Sequence, residues 1–160
     1  MVNVEMFDIT VVEHPKKHLV GVKVRTTMQM QKWMIDCPAL WENFMPRMSE
    51  LPSGNAYGVC VMLNTEDFDY WAALETDVNA AVPEGMACID VLAGEYAKCT
   101  VDMEKLRDAY MYIYNEWEKS QTEYVLDGQV PSFELYQANW QPGDSFEIFA
   151  PVKKDTDSPS

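Results

Sequence analysis

The sequence predicts an α+β fold: two pseudo-symmetric strand-strand-helix-strand-strand repeats forming one antiparallel sheet, with a helix per repeat and a central ligand cleft. Three observations predict it. Pairs of β-rich runs flank each of two amphipathic helical stretches. The order of elements recurs at a period of roughly 77 residues, with little identity between the copies. Pro83-Glu84-Gly85 punctuates the join between them. A chain of 160 residues, 48% hydrophobic and 24% charged, has the composition of an ordinary globular domain.

Val4–Val12 and His18–Arg25 read as a hairpin around a turn at Glu13–Lys17, which holds Pro15. Gln29–Ile35 is a short, Met-rich helical piece. The main helix is expected to start at Pro38, because proline suits a first helical turn and not an interior. Leu40, Trp41, Phe44, Met45 and Met48 form its apolar stripe, and Pro52-Ser53-Gly54-Asn55 ends it. Tyr57–Leu63 and Phe68–Thr76 are strands around a turn at Asn64–Asp67.

In the second repeat, Met86–Leu92 and Glu95–Val101 flank the tight turn Ala93-Gly94. Asp102 suits the N-cap of a helix over Met103–Lys119, striped by Met103, Leu106, Tyr110, Ile113, Tyr114 and Trp117. A loop with Asp127-Gly128 leads to the strands Ser132–Tyr136 and Ser145–Pro151. One domain is expected over residues 1–152, with repeats at about 4–80 and 85–152, and a polar, disordered tail over 153–160.

Charge and cysteine usage narrow the function. A net charge of −14, from 26 acidic and 12 basic residues, opposes a nucleic-acid surface and favours the approach of cations. No apolar run reaches about 18 residues, so no membrane span is expected. No signal segment opens the chain, which points to a cytoplasmic protein. Cys37, Cys60, Cys88 and Cys99 form no Cys-x-x-Cys pair and read as free thiols. His14 and His18 flank Pro15-Lys16-Lys17 and read as solvated turn residues; a metal needs three or four converging ligands, so neither metal nor cofactor is expected.

The informative residue is Glu134. Alternation in Ser132-Phe133-Glu134-Leu135-Tyr136 puts it on one face with Ser132 and Tyr136. A carboxylate there either faces water or, if buried, needs a proton or a cation. The surplus of rings favours the second: Trp41, Tyr57, Tyr70, Trp71, Tyr110, Tyr114, Trp117, Tyr136, Trp140, Phe146 and Phe149 exceed the needs of one small core. Aromatic walls around one carboxylate suit a desolvated organic cation. Eleven methionines add adaptable surface.

The ordered set Ala93-Gly94-Glu95-Tyr96, Trp117, Asp127-Gly128, Phe133-Glu134-Leu135-Tyr136 and Phe146–Val152 resembles the gyrase-inhibitor-like effector-binding domain. That domain is also the sensor half of AraC-type and MerR-type drug-responsive regulators. Leu40-Trp41-x-x-Phe44, Tyr57-Gly58-Val59 and Phe68-Asp69-Tyr70 extend the likeness to about residues 4–152. The chain is especially similar to small members carried on integron cassettes. The resemblance implies a multidrug-recognition pocket in which Glu134 meets lipophilic cations, Tyr136 forms a wall, and Tyr110 and Phe149 supply further rings. Trp71, on the pseudo-symmetric strand of the first half, joins the candidate set with Tyr114 and Phe146.

Regulators of this type carry a DNA-binding region before the sensor. Only a few residues precede the first strand here, so any transcriptional role is expected to need a separate DNA-binding partner. Two alternatives stand beside the binding module. One is hydrolysis of cyclopropane-bearing compounds, with Glu134 and Tyr136 or Tyr114 as acid–base groups. The other is acidic mimicry that inhibits a topoisomerase.

Overall fold

A computed structural model describes residues 7–155. Its α+β architecture is an eight-strand antiparallel path, β1-β6-β9-β8-β3-β4-β2-β5, with β7 added at the far end of β9. The strands are β1 Thr10–His14, β2 Lys17–Thr27, β3 Ala56–Met62, β4 Asp67–Glu75, β5 Ala87–Val91, β6 Gly94–Val101, β7 Tyr124–Leu126, β8 Ser132–Tyr136 and β9 Phe146–Lys154. Helix α1 spans Trp33–Phe44, and α2 spans Leu106–Tyr112.

The path reads the same when the repeats are exchanged, since β1, β2, β3 and β4 swap with β5, β6, β8 and β9. The centre of this pseudo-symmetry is the β3–β8 pair, where Ala56, Gly58 and Cys60 face Tyr136, Glu134 and Ser132. Each repeat also lends its first strand to the other, because β1 pairs with β6 and β5 with β2. The predicted N-terminal hairpin therefore does not form; β1 and β2 are neighbours in sequence but lie near opposite ends of the path. Two residues, Pro15 and Lys16, connect them, and Leu92 and Ala93 connect β5 to β6 in the same way. A link that short reaches about 10 Å at most, so the sheet must curl until its ends approach.

Alternation then gives the sheet two apolar faces. One is covered by the helices and includes Val20, Ala56, Ala72, Leu74, Ala97, Tyr136, Ile148 and Ala150, with Phe44, Ala109, Ile113 and Trp117 packed onto it. The other is closed by the curl and holds Leu19, Tyr57, Val59, Trp71, Tyr96, Phe133, Leu135 and Phe149.

Several boundaries differ from expectation. Pro38 lies inside α1, which begins at Trp33. Loss of one backbone bond there costs about 3 kcal/mol, and packing of Leu40, Trp41 and Phe44 against the core offsets it. The second helix starts as expected at Asp102, whose side chain accepts from the Lys105 N–H at 3.0 Å. It then widens into a π-helical turn over Ile113–Trp117 and tightens over Glu118–Ser120. Strand β7 was not expected, and it holds Lys153 and Lys154 of the supposed tail in a ladder. The first part of the expected Val4–Val12 strand, like residues 156–160, lies outside the described residues.

Gly21 marks the tightest place in the curl. Here β2 is paired on both sides, with Ala73 of β4 and Ala87 of β5. A Cβ at this position would strike the Ala72 carbonyl oxygen and lie 2.5 Å from the Ala73 Cα. Both obstacles are neighbouring-strand backbone, which cannot rotate away. We predict that Gly21→Ala lowers unfolding free energy by on the order of 3 kcal/mol, the upper end of overpacking costs. Urea denaturation monitored by tryptophan fluorescence measures it; an unchanged midpoint would contradict the packing described.

Candidate functional site

Glu134 projects from the central strand β8 onto the helix-covered face, and only 6% of its surface is exposed. Three tyrosine hydroxyls donate to it. Tyr70 of β4 and Tyr136 of β8 each reach Oε1 at 2.9 Å, and Tyr110 of α2 reaches Oε2 at 2.7 Å. The Tyr70 oxygen in turn accepts from the Trp41 indole N–H of α1 at 3.0 Å. The carboxylate thus gathers the two central strands' neighbourhood and both helices onto one group.

Gly58 makes this possible. It sits directly across from Glu134 in the β3–β8 register. A Cβ there would collide with the Tyr70 hydroxyl and come within 2.7 Å of Glu134 Oε1. Backbone without a side chain is what admits the two groups above it.

The electrostatics of Glu134 are unusual for this protein. Among the described residues two acids are buried, Asp69 and Glu134. Asp69 has cations on it: Arg25 Nε at 2.9 Å and Lys23 Nζ at 3.8 Å. The Arg25 hydrogen bond holds its carboxyl below the ordinary range. Around Glu134 burial dominates and raises the pKa, while the three hydroxyl donors oppose the rise without overcoming it. Among the described residues, no basic group is among the influences on it. The negative site in turn holds the phenols neutral: burial first, then the Glu134 charge, raise Tyr70 and Tyr110 well above the usual phenol range, and Tyr136 likewise. Cys37 and Cys60 lie close enough to feel the same charge, and burial pushes both thiols up to about 12. They are apolar lining and not nucleophiles at neutral pH.

The structure brings together only part of the predicted set. Tyr110 and Tyr136 are on the carboxylate. Phe146 stacks on Tyr136 with centroids 4.6 Å apart, one layer from it. Tyr114 stacks on Tyr110 at 6.3 Å and is 47% exposed; it is not among the three hydroxyls on Glu134. Of the two acid–base pairs considered, only Glu134–Tyr136 is within hydrogen-bond reach.

Trp71 and Phe149 lie on the opposite face of the sheet from Glu134, as strand periodicity requires. Each adjoins a residue on the Glu134 face, Tyr70 and Ile148 respectively. Phe149 stacks on Phe133 at 4.7 Å, and Trp71 lies beneath Lys23 at 5.6 Å. His14 is also not a solvated turn residue; its ring lies edge-on to Phe133 and Phe149 at 5.0 and 5.1 Å. His18 bonds Asp90 at 2.9 Å.

Sequence reading missed Tyr70, Trp41 and Gly58 as site residues. Tyr70 and Trp41 were visible only as rings, because the register that aims them was not. Gly58, inside a β-rich run, carried a signal of close approach that could have been used. Among the described residues, no group of three or more His, Cys, Asp or Glu side chains is placed to hold a metal ion. No helix among them is long and apolar enough to cross a membrane.

Comparison with known proteins agrees with this architecture. Residues 10–152 match the family described as integron-associated effector binding proteins. An integron cassette protein from the mobile metagenome of Vibrio cholerae superposes with a TM-score of 0.69 at 21% identity, over 91% of this chain and 95% of that one. SAV2435, solved bound to tetraphenylphosphonium, superposes with a TM-score of 0.71 at 18% identity, over 91% of this chain and 94% of that one. The transcriptional regulator BrlR of Pseudomonas aeruginosa is 37% identical over 65 residues. That match takes in 38% of this chain and 24% of the regulator, so it spans about a quarter of that protein's length.

Two outcomes follow from the geometry. Gly58→Ala should push the Tyr70 hydroxyl off Glu134, lower stability by about 1–3 kcal/mol, and shift the emission of Trp41, which loses its acceptor. A variant with wild-type emission and stability would show that the close approach is not needed. The raised pKa of Glu134 has a signed consequence for folding. Above the ordinary value of 4.5 the unfolded chain has released this proton while the folded state still holds it. Stability contributed by the protonated group is therefore full below 4.5 and declines as pH climbs through the raised value. Glu134→Gln lacks that decline. Denaturation of both proteins across the acidic and neutral range should show the wild type losing ground to the variant as pH rises; a gain instead would reverse the assignment.

Proposed function

The chain belongs to the integron-associated effector binding protein family, and we propose that its effectors are lipophilic organic cations taken up against Glu134. One observation carries the reading: a buried carboxylate with three hydroxyl donors and, among the described residues, no basic group acting on it. Burying an ion costs several kcal/mol. Hydrogen bonds to a charged group return about 1.5–3 kcal/mol each, yet burial still prevails in the balance that sets the Glu134 pKa. A cation brought against Glu134 would reverse that balance, and the rings of Tyr110, Tyr114, Tyr136 and Trp41 would give it aromatic faces. Phe146 supports this wall from behind Tyr136. The tetraphenylphosphonium complex of SAV2435, a lipophilic cation on a similar fold, supports the same ligand class. The partial match to BrlR, a transcriptional regulator, supports a sensor role in transcriptional control.

A charge pair about 4 Å apart interacts by about 4 kcal/mol at an effective dielectric of about 20, before desolvation. Retaining a third of that after desolvation is still about tenfold in affinity. Titration with tetraphenylphosphonium, read by tryptophan quenching, should therefore show Glu134→Gln binding at least about tenfold more weakly. Binding requires the ionised carboxylate, so wild-type affinity should fall as pH drops through the raised Glu134 pKa, while the variant's stays flat. Equal affinities of the two proteins at neutral pH would defeat the proposal.

A further inference from the structure

We infer that the preferred ligands are elongated, single-tailed cationic amphiphiles, whose uncharged arm enters a cavity at the end of β3. This rests on the reading of Glu134 as the seat of the positive head. The cavity measures about 610 Å³ and is lined from β3 and the β3–β4 turn by Val61, Met62, Leu63, Asn64 and Thr65, and from the loop before β8 by residues 128–131. None of these side chains is charged, in a chain where 24% of residues are. Five of the nine are Val, Met, Leu or Pro. Such a lining suits an aliphatic or aryl group and offers nothing to a second charge.

Register ties the cavity to the carboxylate. Gly58 faces Glu134 and Cys60 faces Ser132 on the β3–β8 ladder. One further step along the same face leads to Met62 on β3 and towards Val130 ahead of β8, and both line the cavity. Met62 is four residues beyond Gly58, so the cavity begins about 13 Å from the carboxylate's strand partner. The ground between is paved suitably. Cys60 is an un-ionised thiol with its sulfur 3.8 Å from that of Met62. Tyr114 lies near Ser132 and continues the ring stack from Tyr110. A head group at Glu134 with a straight arm along β3 would meet rings on one side and sulfur and small side chains on the other.

The test is a series of alkyltrimethylammonium ions from butyl to dodecyl, kept below their micelle-forming concentrations, with tetraphenylphosphonium as a compact reference. Affinity for the wild type should climb with chain length, by up to about fourfold per methylene buried, the equivalent of about 0.8 kcal/mol. Met62→Gln makes the lining polar at equal length, and Val130→Trp fills the space. Both positions are partly exposed, so neither change burdens the core. Each variant should flatten the chain-length gradient and leave tetraphenylphosphonium affinity within about twofold, a difference well under the 1.4 kcal/mol of a tenfold change. If the wild type shows no gradient, or both variants keep it, the tail site is wrong while the Glu134 reading stands. If tetraphenylphosphonium and the whole series fail to bind the wild type, the underlying reading fails and this inference falls with it.

Discussion

Glu134 is a carboxylate drawn out of water on the middle strand of a sheet, and much of the surrounding construction consists of groups that make that tolerable. An ion of this size loses several kcal/mol of hydration on burial. Three phenolic donors recover a comparable amount, yet burial still leaves the group's pKa above its ordinary value. The donors have to come from different directions, so they come from different elements: β4, β8 and α2. They also need room, so the facing strand has glycine at position 58. Asp69, almost as buried, shows the alternative solution, in which Arg25 and Lys23 neutralise the charge from within the protein. The protein contains both arrangements, and the one lacking a cation lies at the centre of the pseudo-symmetric sheet.

That central position follows from topology. Exchange of first strands locks the repeats together and leaves β3 and β8 as the junction. The site is then built half from each repeat. Gly58, Tyr70 and Trp41 come from the first, and Glu134, Tyr136 and Tyr110 from the second. Neither repeat holds the full hydrogen-bond network. A duplicated architecture has produced an asymmetric site at its axis, with an acid on one side of the ladder and a glycine on the other.

Local patterns made much of this legible from sequence. The strands around Tyr57, Phe68 and Ser132 and the Asp102 cap all rest on interactions within a few residues. What was not legible depends on pairing between distant segments. The strand exchange looks like a hairpin in sequence, since a short turn such as Glu13–Lys17 between β-rich runs has that meaning unless the sheet curls. Pro38 was read as a helix start, because its intrinsic cost is visible and the core contacts that offset it are not. Phe149 was grouped with Glu134 through the family resemblance and Trp71 through its place on the pseudo-symmetric strand, and neither ground says which face a ring occupies. Each is one residue out of phase with the site, and in a strand one residue is a change of side.

The division of rings between the two faces sets the helix-covered one apart. On the curl-enclosed face Phe133, Phe149, Tyr96 and the His14 ring pack edge-on or stacked against one another. Their faces and edges are satisfied mutually, as in any dense aromatic core, and Tyr96 spends its hydroxyl on the Leu92 carbonyl at 2.6 Å. On the Glu134 face the rings are tied to a charge through their hydroxyls, and this is why they are tyrosines and not phenylalanines. A phenylalanine at position 70, 110 or 136 would preserve the apolar wall but remove a donor from a buried carboxylate that already has more desolvation than its partners offset. Hydroxyls can compensate a negative charge without cancelling it, which an arginine or lysine would do. Their use here keeps the group buried, oriented and still short of one positive charge.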